Sequence, residues 1–523
     1  MTNAIVGYTG FVGMNLLQFY NFDNYYNSKN FHTARGKVFD TLFFSAIPAV
    51  KWYANKNPQK DIDNIEEIKH VLKDITVKKF ILISTIDVYD TIDKQYDEDY
   101  LIGDSNHTYG KNRYMFECFI KETFNDYNIV RLPALFGKGL KKNLIYDLIN
   151  NNKVNNIPLN SSFQWYFLDW LKKDLDIILK HDIKICNLFT EPIHTRKIVQ
   201  IFKEVYDIDY RLESKDKSST LNYDVCTKYK RYFNCNKDYI AEKNEVIQSL
   251  KDYLLFEKMD KSNLCVSNIC VNNISQLHFS CILKLYGIKN IQIAPTKLIK
   301  SWKDIDEIDL SVFSGLNIYS FQSITYTLND LNIFDENTRS KLYDHIVKII
   351  DISEKNNLSI LVFGCPMNRK ILDDKINNKQ IFIDFFKRLG DYLEGKDIKI
   401  CLENNSKDYK CNFMNTIKEC SDTIREINKN NIKMMVDLGN AVMENDEWYY
   451  LRNNMDIICN IDVSNPYMKD FSNIHESNEI FNHVLKVNEY NGIINLEMLI
   501  DSQKDEIEIL MKSLNNFVRL YGL

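Results

Sequence analysis

Short apolar runs alternate along the whole chain with longer segments in which apolar residues recur at helical spacing. Buried strands of a parallel sheet have the first pattern, and the helices that cover such a sheet have the second. The alternation therefore predicts βα units and an α/β protein. In the first part of the chain we predict strands at 4–6, 41–44, 80–84 and 129–131, which would form one doubly wound parallel sheet.

The second part of the chain repeats the alternation after a polar, helical segment at about residues 236–261. Its predicted strands are 264–269, 291–293, 318–321, 360–363, 398–402, 434–436, 457–463 and 493–496. Eight strands with intervening helices in a segment of about 260 residues match the size of a (β/α)8 barrel. We therefore predict two domains, at residues 1–255 and 262–523.

A glycine-rich segment, GYTGFVG at residues 7–13, follows the first predicted strand and precedes a helix that we expect to begin near Met14. The spacing of Gly7, Gly10 and Gly13 lets backbone amides, including those of Phe11 and Val12, approach a pyrophosphate at the helix N-terminus. Three glycines alone are a weak signal because a tight turn also requires them. Their place at the start of a βα unit favours dinucleotide binding.

Three further segments strengthen this interpretation: STIDVY at 84–89, YGKNRYMFE at 109–117 and VRLPALFG at 130–137. Together with the glycines they resemble the extended short-chain dehydrogenase/reductase family of sugar-nucleotide epimerases and dehydratases, over roughly residues 1–255. The resemblance implies a Rossmann fold with a bound nicotinamide dinucleotide. It also implies a homodimer.

The same resemblance assigns catalytic roles to three residues. Thr85 would orient the substrate hydroxyl and Tyr109 would be the acid/base, which requires a phenolate although the pKa of free tyrosine is about 10. Arg113 stands where the family has a lysine. Arginine can lower the pKa of a tyrosine and bind a ribose, but it cannot relay a proton. The domain is therefore expected either to carry out redox chemistry or to bind dinucleotide without turnover.

Two features leave details of this domain open. No acidic residue follows the predicted second strand near residues 27–28, and Lys29 lies close by, so we expect NAD with NADP as the alternative. The aromatic segment SFQWY at 162–166 lies where the family builds its substrate lid. Its rings would either stack on a ligand or belong to the core.

Acidic residues occur at four successive strand ends of the second domain: Glu403, Asp437, Asp462 and Glu497. The carboxyl ends of barrel strands meet at one face, so we expect these side chains to converge. A divalent cation is the natural reason to collect them, because buried carboxylates without a cation repel one another.

The sequences around these acids, CLENN at 401–405, VDLGN at 436–440, IDVSNP at 461–466 and NLEM at 495–498, resemble the xylose-isomerase-like sugar phosphate isomerase/epimerase family. The resemblance implies metal ligands at Glu403, Asp437 and Glu497. Asp462 stands where the family has a histidine, and Asn440 where several epimerases have a second one. An all-carboxylate site would prefer Mg or Mn.

With a metal bound, Glu403 and Glu497 would face each other as proton acceptor and donor across the reacting carbon, which gives isomerisation or epimerisation. Lys297 and Arg369 end two further strand units at the same face. They could bind a substrate phosphate or carboxylate, although basic residues are also common on such loops.

Composition narrows the partners to small molecules. The chain has 66 basic and 71 acidic residues without a concentrated tail, which gives no indication of nucleic acid or membrane binding. We find no signal peptide or membrane-spanning run and expect a cytoplasmic protein. The twelve cysteines include no C-x-x-C pair and are expected to be reduced.

The expected function is a bifunctional enzyme acting on a sugar, sugar phosphate or nucleotide sugar. The first domain would use NAD(P) for oxidation, reduction or epimerisation, and the barrel would isomerise or epimerise with a metal. The alternatives are a barrel enzyme with a catalytically silent dinucleotide-binding regulatory domain, and a scaffold in which both sites have decayed.

Overall fold

The computed structural model describes residues 2–208, 220–373 and 377–522. The chain divides into two compact units, Met1–Lys258 and Met259–Leu523. The first unit contains an open parallel sheet, and the second contains a closed barrel. This is the α/β architecture that the sequence predicts, a Rossmann-type sheet followed by a (β/α)8 barrel.

The strands of the first unit match the predicted apolar runs and add short strands between them. They are β1 Asn3–Val6, β2 Asn24–Tyr26, β3 Val38–Phe44, β4 Thr76–Thr85, β5 Tyr127–Leu132, β6 Ala134–Phe136, β7 Ser162–Phe163, β8 Trp165–Phe167, β9 Ile185–Asn187 and β10 Ile193–His194. The main sheet is parallel, in the order β2–β1–β3–β4–β5–β9. Its strand order reverses at β1, and ligands bind at the carboxyl edge beside such a reversal.

Helices cover both faces of this sheet. They are α1 Phe11–Leu16, α2 Lys51–Lys56, α3 Pro58–Lys73, α4 Thr108–Thr123, α5 Leu144–Ile149, α6 Leu171–Lys180, α7 Thr195–Tyr206 and α8 Lys243–Lys258. A buried aromatic cluster that includes Phe44, Phe80 and Phe116 joins β3 and β4 to α4. The polar segment at 236–261 contains α8, which buries Val246 and Leu250 and packs on α7. This helix therefore belongs to the first unit.

All eight strands predicted for the second unit are present. They are β11 Leu264–Ser267, β12 Asn290–Ile293, β13 Asn317–Phe321, β14 Ile360–Phe363, β15 Lys399–Glu403, β16 Ile432–Asp437, β17 Ile458–Val463 and β18 Ile493–Leu496. Each strand pairs with the next in parallel, and β18 pairs with β11 to close the barrel. The strands are buried because helices surround them, which explains their continuous apolar sequences.

The helices around the barrel are α9 Gln276–Leu285, α10 Glu336–Lys355, α11 Asn378–Tyr392, α12 Ile417–Ile427, α13 Leu438–Met443, α14 Glu476–Val487 and α15 Glu506–Tyr521. The connection between β12 and β13 is different because it is built from three short 3-10 helices, at Pro295–Lys297, Trp302–Glu307 and Ser311–Phe313. This connection begins at the face of the barrel where the strands have their carboxyl ends.

Across the described parts of the chain, helices are either too short or too polar to cross a lipid bilayer.

Candidate functional sites

The glycine-rich segment forms a tight turn between β1 and α1. Gly7 has φ +95°, and the N–H of Gly10 donates to the carbonyl oxygen of Gly7 at 2.9 Å. A Cβ added to Gly13 would lie 2.0 Å from that oxygen, so this position requires glycine. The helix begins at Phe11, not near Met14 as predicted, because Gly10 is already its N-cap and the last glycine lies within the first turns.

Thr85 and Tyr109 lie at the carboxyl edge of this sheet. Thr85 ends β4, and its hydroxyl accepts a hydrogen bond from the N–H of Asp87 at 3.2 Å. Tyr109 lies in the first turn of α4, where its N–H donates to Oδ1 of Asn55 at 2.9 Å. Burial raises the pKa of Tyr109, and this effect outweighs the lowering by Arg113. The net direction is opposite to the one that a phenolate requires.

Arg113 is held by groups of the protein itself. Its guanidinium lies over the ring of Tyr109, 4.1 Å from the ring centroid. Both terminal nitrogens donate to the carboxylate of Asp61 in α3, and one of them also donates to the carbonyl oxygen of Pro48. Both Arg113 and Asp61 are buried. The donors that the resemblance assigns to a ribose are therefore largely occupied by a buried ion pair.

A charged cluster that the sequence analysis missed lies beside Thr85. The ammonium of Lys51 pairs with Asp87 at 2.6 Å, and Nε2 of His107 lies 3.9 Å from the same carboxylate. Nδ1 of His107 accepts from the N–H of Gly110 at 3.0 Å, which leaves Nε2 as the protonated nitrogen of the neutral ring. Asp87 within the STIDVY segment was the available signal, but its partner is 36 residues away in sequence.

Of the two alternatives for the aromatic segment at 162–166, the structure supports the core for Trp165 and Tyr166. Trp165 and Tyr166 are buried, and the Tyr166 hydroxyl donates to Asp174 at 2.7 Å. Burial raises the pKa of Asp174 to about 6. These rings stabilise the core because β8 packs against β6 and α8, so neither ring is free to stack on a ligand.

The second candidate site is a cavity of about 650 Å³ at the carboxyl ends of the barrel strands. Glu403, Asp437 and Glu497 line it together with Asn440 and Gln322. Glu403 ends β15, Asp437 ends β16, and Glu497 follows β18. Three of the four predicted carboxylates therefore face one space.

Short polar contacts hold these carboxylates in place. Asp437 accepts from the N–H of Asn440 at 2.6 Å, and the Asn440 amide donates to Glu403 at 3.3 Å. Gly364, after β14, allows Glu403 to lie close, because a Cβ there would be 2.1 Å from Oε2 of Glu403. The role of Gly364 is not visible in the sequence, because it depends on a contact between the ends of two strands.

Burial and mutual repulsion dominate the electrostatics of the cavity. Burial raises the pKa of Glu403 and of Glu497, and the neighbouring carboxylates raise both further. Burial raises the pKa of Asp437 to about 6. Negative charge is therefore costly here unless a cation or a proton compensates for it.

Asp462 is buried and does not line the cavity. Its Oδ1 accepts from the amide of Asn460 at 2.9 Å, while Oδ2 has no hydrogen-bond partner within the described residues. Side-chain atoms of Gln292, Ser320 and Asn495 are also buried there without partners. Asp462, for which the resemblance leads us to expect a histidine, therefore lies in a buried polar layer of the barrel.

The two predicted substrate-binding cations have different surroundings. Lys297 lines the cavity. Arg369 is fully buried and does not line the cavity, and its Nη2 donates to the backbone carbonyl of Glu403 at 2.6 Å. The 3-10 helix Pro366–Arg369 directs this side chain into the protein, where its positive charge lowers the pKa of Glu403.

The carboxylates suit a hard divalent cation such as Mg or Mn, because these cations prefer oxygen ligands. Neighbouring carboxylates also raise the cost of ionising Glu403 and Glu497, which a bound cation would offset. Their side chains are not drawn together to coordination distances: within 2–208, 220–373 and 377–522, no group of three or more His, Cys, Asp or Glu side chains is close enough to hold a metal ion.

Residues 289–517 match the family described as xylose isomerase-like TIM barrel. This match lies within the C-terminal unit. The matched segment extends from the residue before β12 to α15 and includes Glu403, Asp437 and Glu497. No curated protein matches the chain.

Solved structures resemble one half of the chain or the other. A 3-keto-D-glucoside 4-epimerase from E. coli is 16% identical, covers 50% of this chain and 99% of its own, and has a TM-score of 0.42. A D-psicose 3-epimerase is 14% identical, covers 50% of this chain and 100% of its own, with a TM-score of 0.41. A UDP-N-acetylglucosamine 4-epimerase from Methanobrevibacter ruminantium is 14% identical, covers 48% of this chain and 96% of its own, and also has a TM-score of 0.41.

Proposed function

We propose that this chain is a sugar-modifying enzyme whose barrel isomerises or epimerises a sugar. The observation that carries the proposal is the convergence of Glu403, Asp437 and Glu497 on one cavity of a xylose isomerase-like barrel. Burial and neighbouring carboxylates raise the pKa of both Glu403 and Glu497, so a cation or a proton is needed to compensate for their charge.

Glu403 and Glu497 would move the proton. Their raised pKa values allow one carboxyl to hold a proton near neutral pH while the other accepts one from carbon, which is the requirement for general acid–base catalysis. The Asn440 amide holds Glu403, and Gln322 hydrogen-bonds Glu497. Each carboxyl is thus fixed on its own strand end.

Glu403, Asp437 and Glu497 would hold a divalent metal, Mg or Mn by donor type. Asp462 on β17 does not line the cavity and would not be a fourth ligand. When bound, the metal would polarise a carbonyl or hydroxyl pair of the sugar. The residues of the chain would then orient the substrate and exclude water from the cavity.

We further propose that the first unit binds NAD or NADP at its glycine turn. Gly7, Gly10 and Gly13, with the backbone of Phe11 and Val12, form a tight turn in which a Cβ on Gly7 or Gly13 would collide with the backbone. When bound, the dinucleotide would accept or donate a hydride. Thr85 would orient the sugar hydroxyl and Tyr109 would take or return its proton, with Arg113 held against the tyrosine ring.

A second candidate function for the first unit is regulation without turnover. Arg113 is engaged by Asp61, and burial raises the pKa of Tyr109, so the phenolate is disfavoured. In that case dinucleotide would bind, but its redox state would never change with any sugar nucleotide.

The deciding experiment is metal analysis of the purified protein together with calorimetric titration of NAD and NADP. Wild type is compared with the double variant Glu403→Gln/Asp437→Asn. We expect bound Mg or Mn that is lost in the double variant, with dinucleotide binding unchanged. If the wild type holds no metal and also takes up no added Mg or Mn, this would contradict the proposal that the barrel reaction is metal-assisted.

A further inference from the structure

The barrel cavity has two chemically different walls. Carboxylates line the wall formed by β15, β16 and β18, whereas lysines and aromatic rings line the wall that follows β12 and β13. In a closed eight-stranded barrel, strands four positions apart lie opposite each other, so the end of β12 faces the end of β16. A ligand that fills the cavity would therefore meet acids at one end and cations at the other.

The lysines of the second wall have no carboxylate partner within 4 Å in the described ranges. Nζ of Lys297 donates to the carbonyl oxygen of Val271 at 3.0 Å and to Oδ1 of Asn272 at 2.8 Å, which leaves one of its three donors for a ligand. Lys297 is half-buried, and burial lowers its pKa. Lys300 lines the cavity rim and is exposed. Two ammonium groups without a carboxylate partner attract an anion such as a phosphate.

An aromatic pair adjoins these lysines. The indole N–H of Trp302 donates to the backbone carbonyl of Tyr326 at 2.7 Å, and the indole packs edge-on against His345, 4.9 Å between ring centroids. The Trp302 ring is thereby fixed in place. Tyr326 is 65% exposed although it lines the cavity.

The backbone around Tyr326 is strained. Ser323 has φ +51° and Thr327 has φ +75°, and both line the cavity. A β-branched residue rarely adopts positive φ, and such strain persists only where the surrounding structure imposes it. Strained residues cluster at ligand sites, so this loop has the character of a binding loop and not of a simple connection.

We propose that the substrate of the barrel carries a nucleoside diphosphate, whose phosphates bind Lys297 and Lys300 and whose base stacks on Trp302 and Tyr326. The sugar would then extend to Glu403 and Glu497. This inference rests on the isomerase or epimerase function proposed for the same cavity. The cavity, at about 650 Å³, is in the range that encloses a whole ligand of several linked groups and is larger than a single hexose requires.

The combination of groups selects this ligand class. A simple sugar phosphate would use the lysines and leave the rings exposed. A neutral disaccharide would use the rings and leave two ammonium groups without counter-charge. A base, a diphosphate and a sugar together use the whole cavity, and stacking on aromatic rings accepts any base.

The test is calorimetric titration of the full chain with uridine diphosphate and, separately, with ribose 5-phosphate, which has a phosphate but no base. Wild type is compared with Tyr326→Ala and Lys300→Ala. The matched control is Lys303→Ala, an exposed lysine next to Trp302 that does not line the cavity. Thermal unfolding of each variant verifies that it is folded.

We expect uridine diphosphate to bind at least tenfold more weakly to Tyr326→Ala and to Lys300→Ala, and normally to Lys303→Ala. Ribose 5-phosphate should bind wild type at least tenfold more weakly than uridine diphosphate and should be insensitive to Tyr326→Ala. Unchanged binding of uridine diphosphate to both cavity variants would overturn the proposal, since the nucleotide would then bind elsewhere. Equal affinity for uridine diphosphate and ribose 5-phosphate would also overturn the proposal and would indicate that the substrate is a sugar phosphate.

These outcomes are separate from the fate of the proposed function. If Glu403→Gln/Asp437→Asn loses metal but Tyr326→Ala has no effect, only the proposal that the substrate carries a nucleoside diphosphate is contradicted. If Tyr326→Ala loses nucleotide binding but the wild type holds no metal, the nucleoside diphosphate proposal stands and the metal-assisted chemistry is contradicted.

Discussion

Glu403 and Glu497 owe their raised pKa values to their positions in the barrel. Each follows an apolar strand, and the barrel brings the ends of those strands to one face. Their positions could be predicted because strand ends are visible in sequence. The direction of their pKa values could not, because it depends on burial and on the carboxylates of other strands.

Replacing either glutamate should abolish proton transfer in the barrel. We expect Glu403→Gln and Glu497→Gln each to slow exchange of the substrate C–H with solvent deuterium by roughly 10²-fold or more, since an amide cannot take or return the proton. NMR of candidate sugars in D2O measures this exchange. Glu508→Gln, an exposed partner of Lys512 on α15, is the control, and equal rates in all variants would contradict the assignment.

Breaking the buried pair of Arg113 and Asp61 should strongly destabilise the protein. Asp61→Asn leaves a buried guanidinium without its counter-charge, which costs about 3–5 kcal/mol of unfolding free energy. Asp74→Asn breaks the exposed pair with Arg35 and should cost no more than about 1 kcal/mol. Urea denaturation of both variants compares them, and similar losses would show that the first pair is not specially stabilising.

Two side chains show where prediction from sequence stops. Arg369 follows a barrel strand, as a phosphate-binding residue would, but a 3-10 turn buries it behind Glu403. Lys51 had no motif around it, yet it pairs with Asp87 at the edge of the first sheet. Both outcomes depend on loop geometry, which residue type alone does not specify.

The turn between β1 and α1 was predictable as an element because glycine spacing reflects backbone geometry directly. We expect Gly13→Val to weaken NAD and NADP binding at least tenfold, because its Cβ would collide with the Gly7 carbonyl oxygen and displace the turn. Calorimetric titration measures the affinity.

The control for that experiment is Gly36→Asn. Gly36 has φ +73°, a conformation that asparagine tolerates, and an added Cβ there would meet nothing within 4 Å. Dinucleotide affinity should be unchanged in this variant. A Gly13→Val protein that binds dinucleotide normally would show that the pyrophosphate does not lie on the turn.

Strands of the barrel were predicted within a residue or two because each is a continuous apolar run between polar helices. For the segment at 162–166, the sequence left two alternatives open. Aromatic residues near a predicted site have the same sequence appearance whether they face a ligand or the core. Only the pairing of β8 with β6 decides that Trp165 and Tyr166 are buried.

The stability of the barrel should depend on pH through Asp437. Its pKa in the folded protein is raised to about 6 from the ordinary value of 3.8, so the folded state retains a proton that the unfolded state releases. Without metal, the contribution of Asp437 to stability should therefore fall as pH rises from about 4 to 6, by roughly 3 kcal/mol.

Asp437→Asn removes this titration and should be more stable than wild type at pH 7 in the presence of EDTA. Its amide oxygen can still accept from the N–H of Asn440. Urea denaturation at pH 4 and pH 7 provides the comparison, with Asp422→Asn on the exposed face of α12 as control. If Asp437→Asn were less stable than wild type at pH 7, this would contradict the claim that the charge of the Asp437 carboxylate is buried without compensation.

Two compact units with separate ligands should respond separately to those ligands. We expect calorimetry to show two unfolding transitions, one raised by NAD or NADP and the other by Mn. A ligand at a hundredfold excess over its Kd stabilises its unit by roughly 2.7 kcal/mol. A single transition shifted by both ligands would show that the units do not unfold independently.

Closure of the barrel by β18 against β11 has a consequence for synthesis on the ribosome. The N-terminal sheet is complete once β9 at Ile185–Asn187 has emerged, so this unit can fold while translation continues. One edge of β11 stays unpaired until its partner strand, Ile493–Leu496, is translated more than two hundred residues later. At roughly 5–20 residues per second, the nascent barrel exposes an unpaired strand edge for tens of seconds, and it is this half of the chain that we expect chaperones to protect.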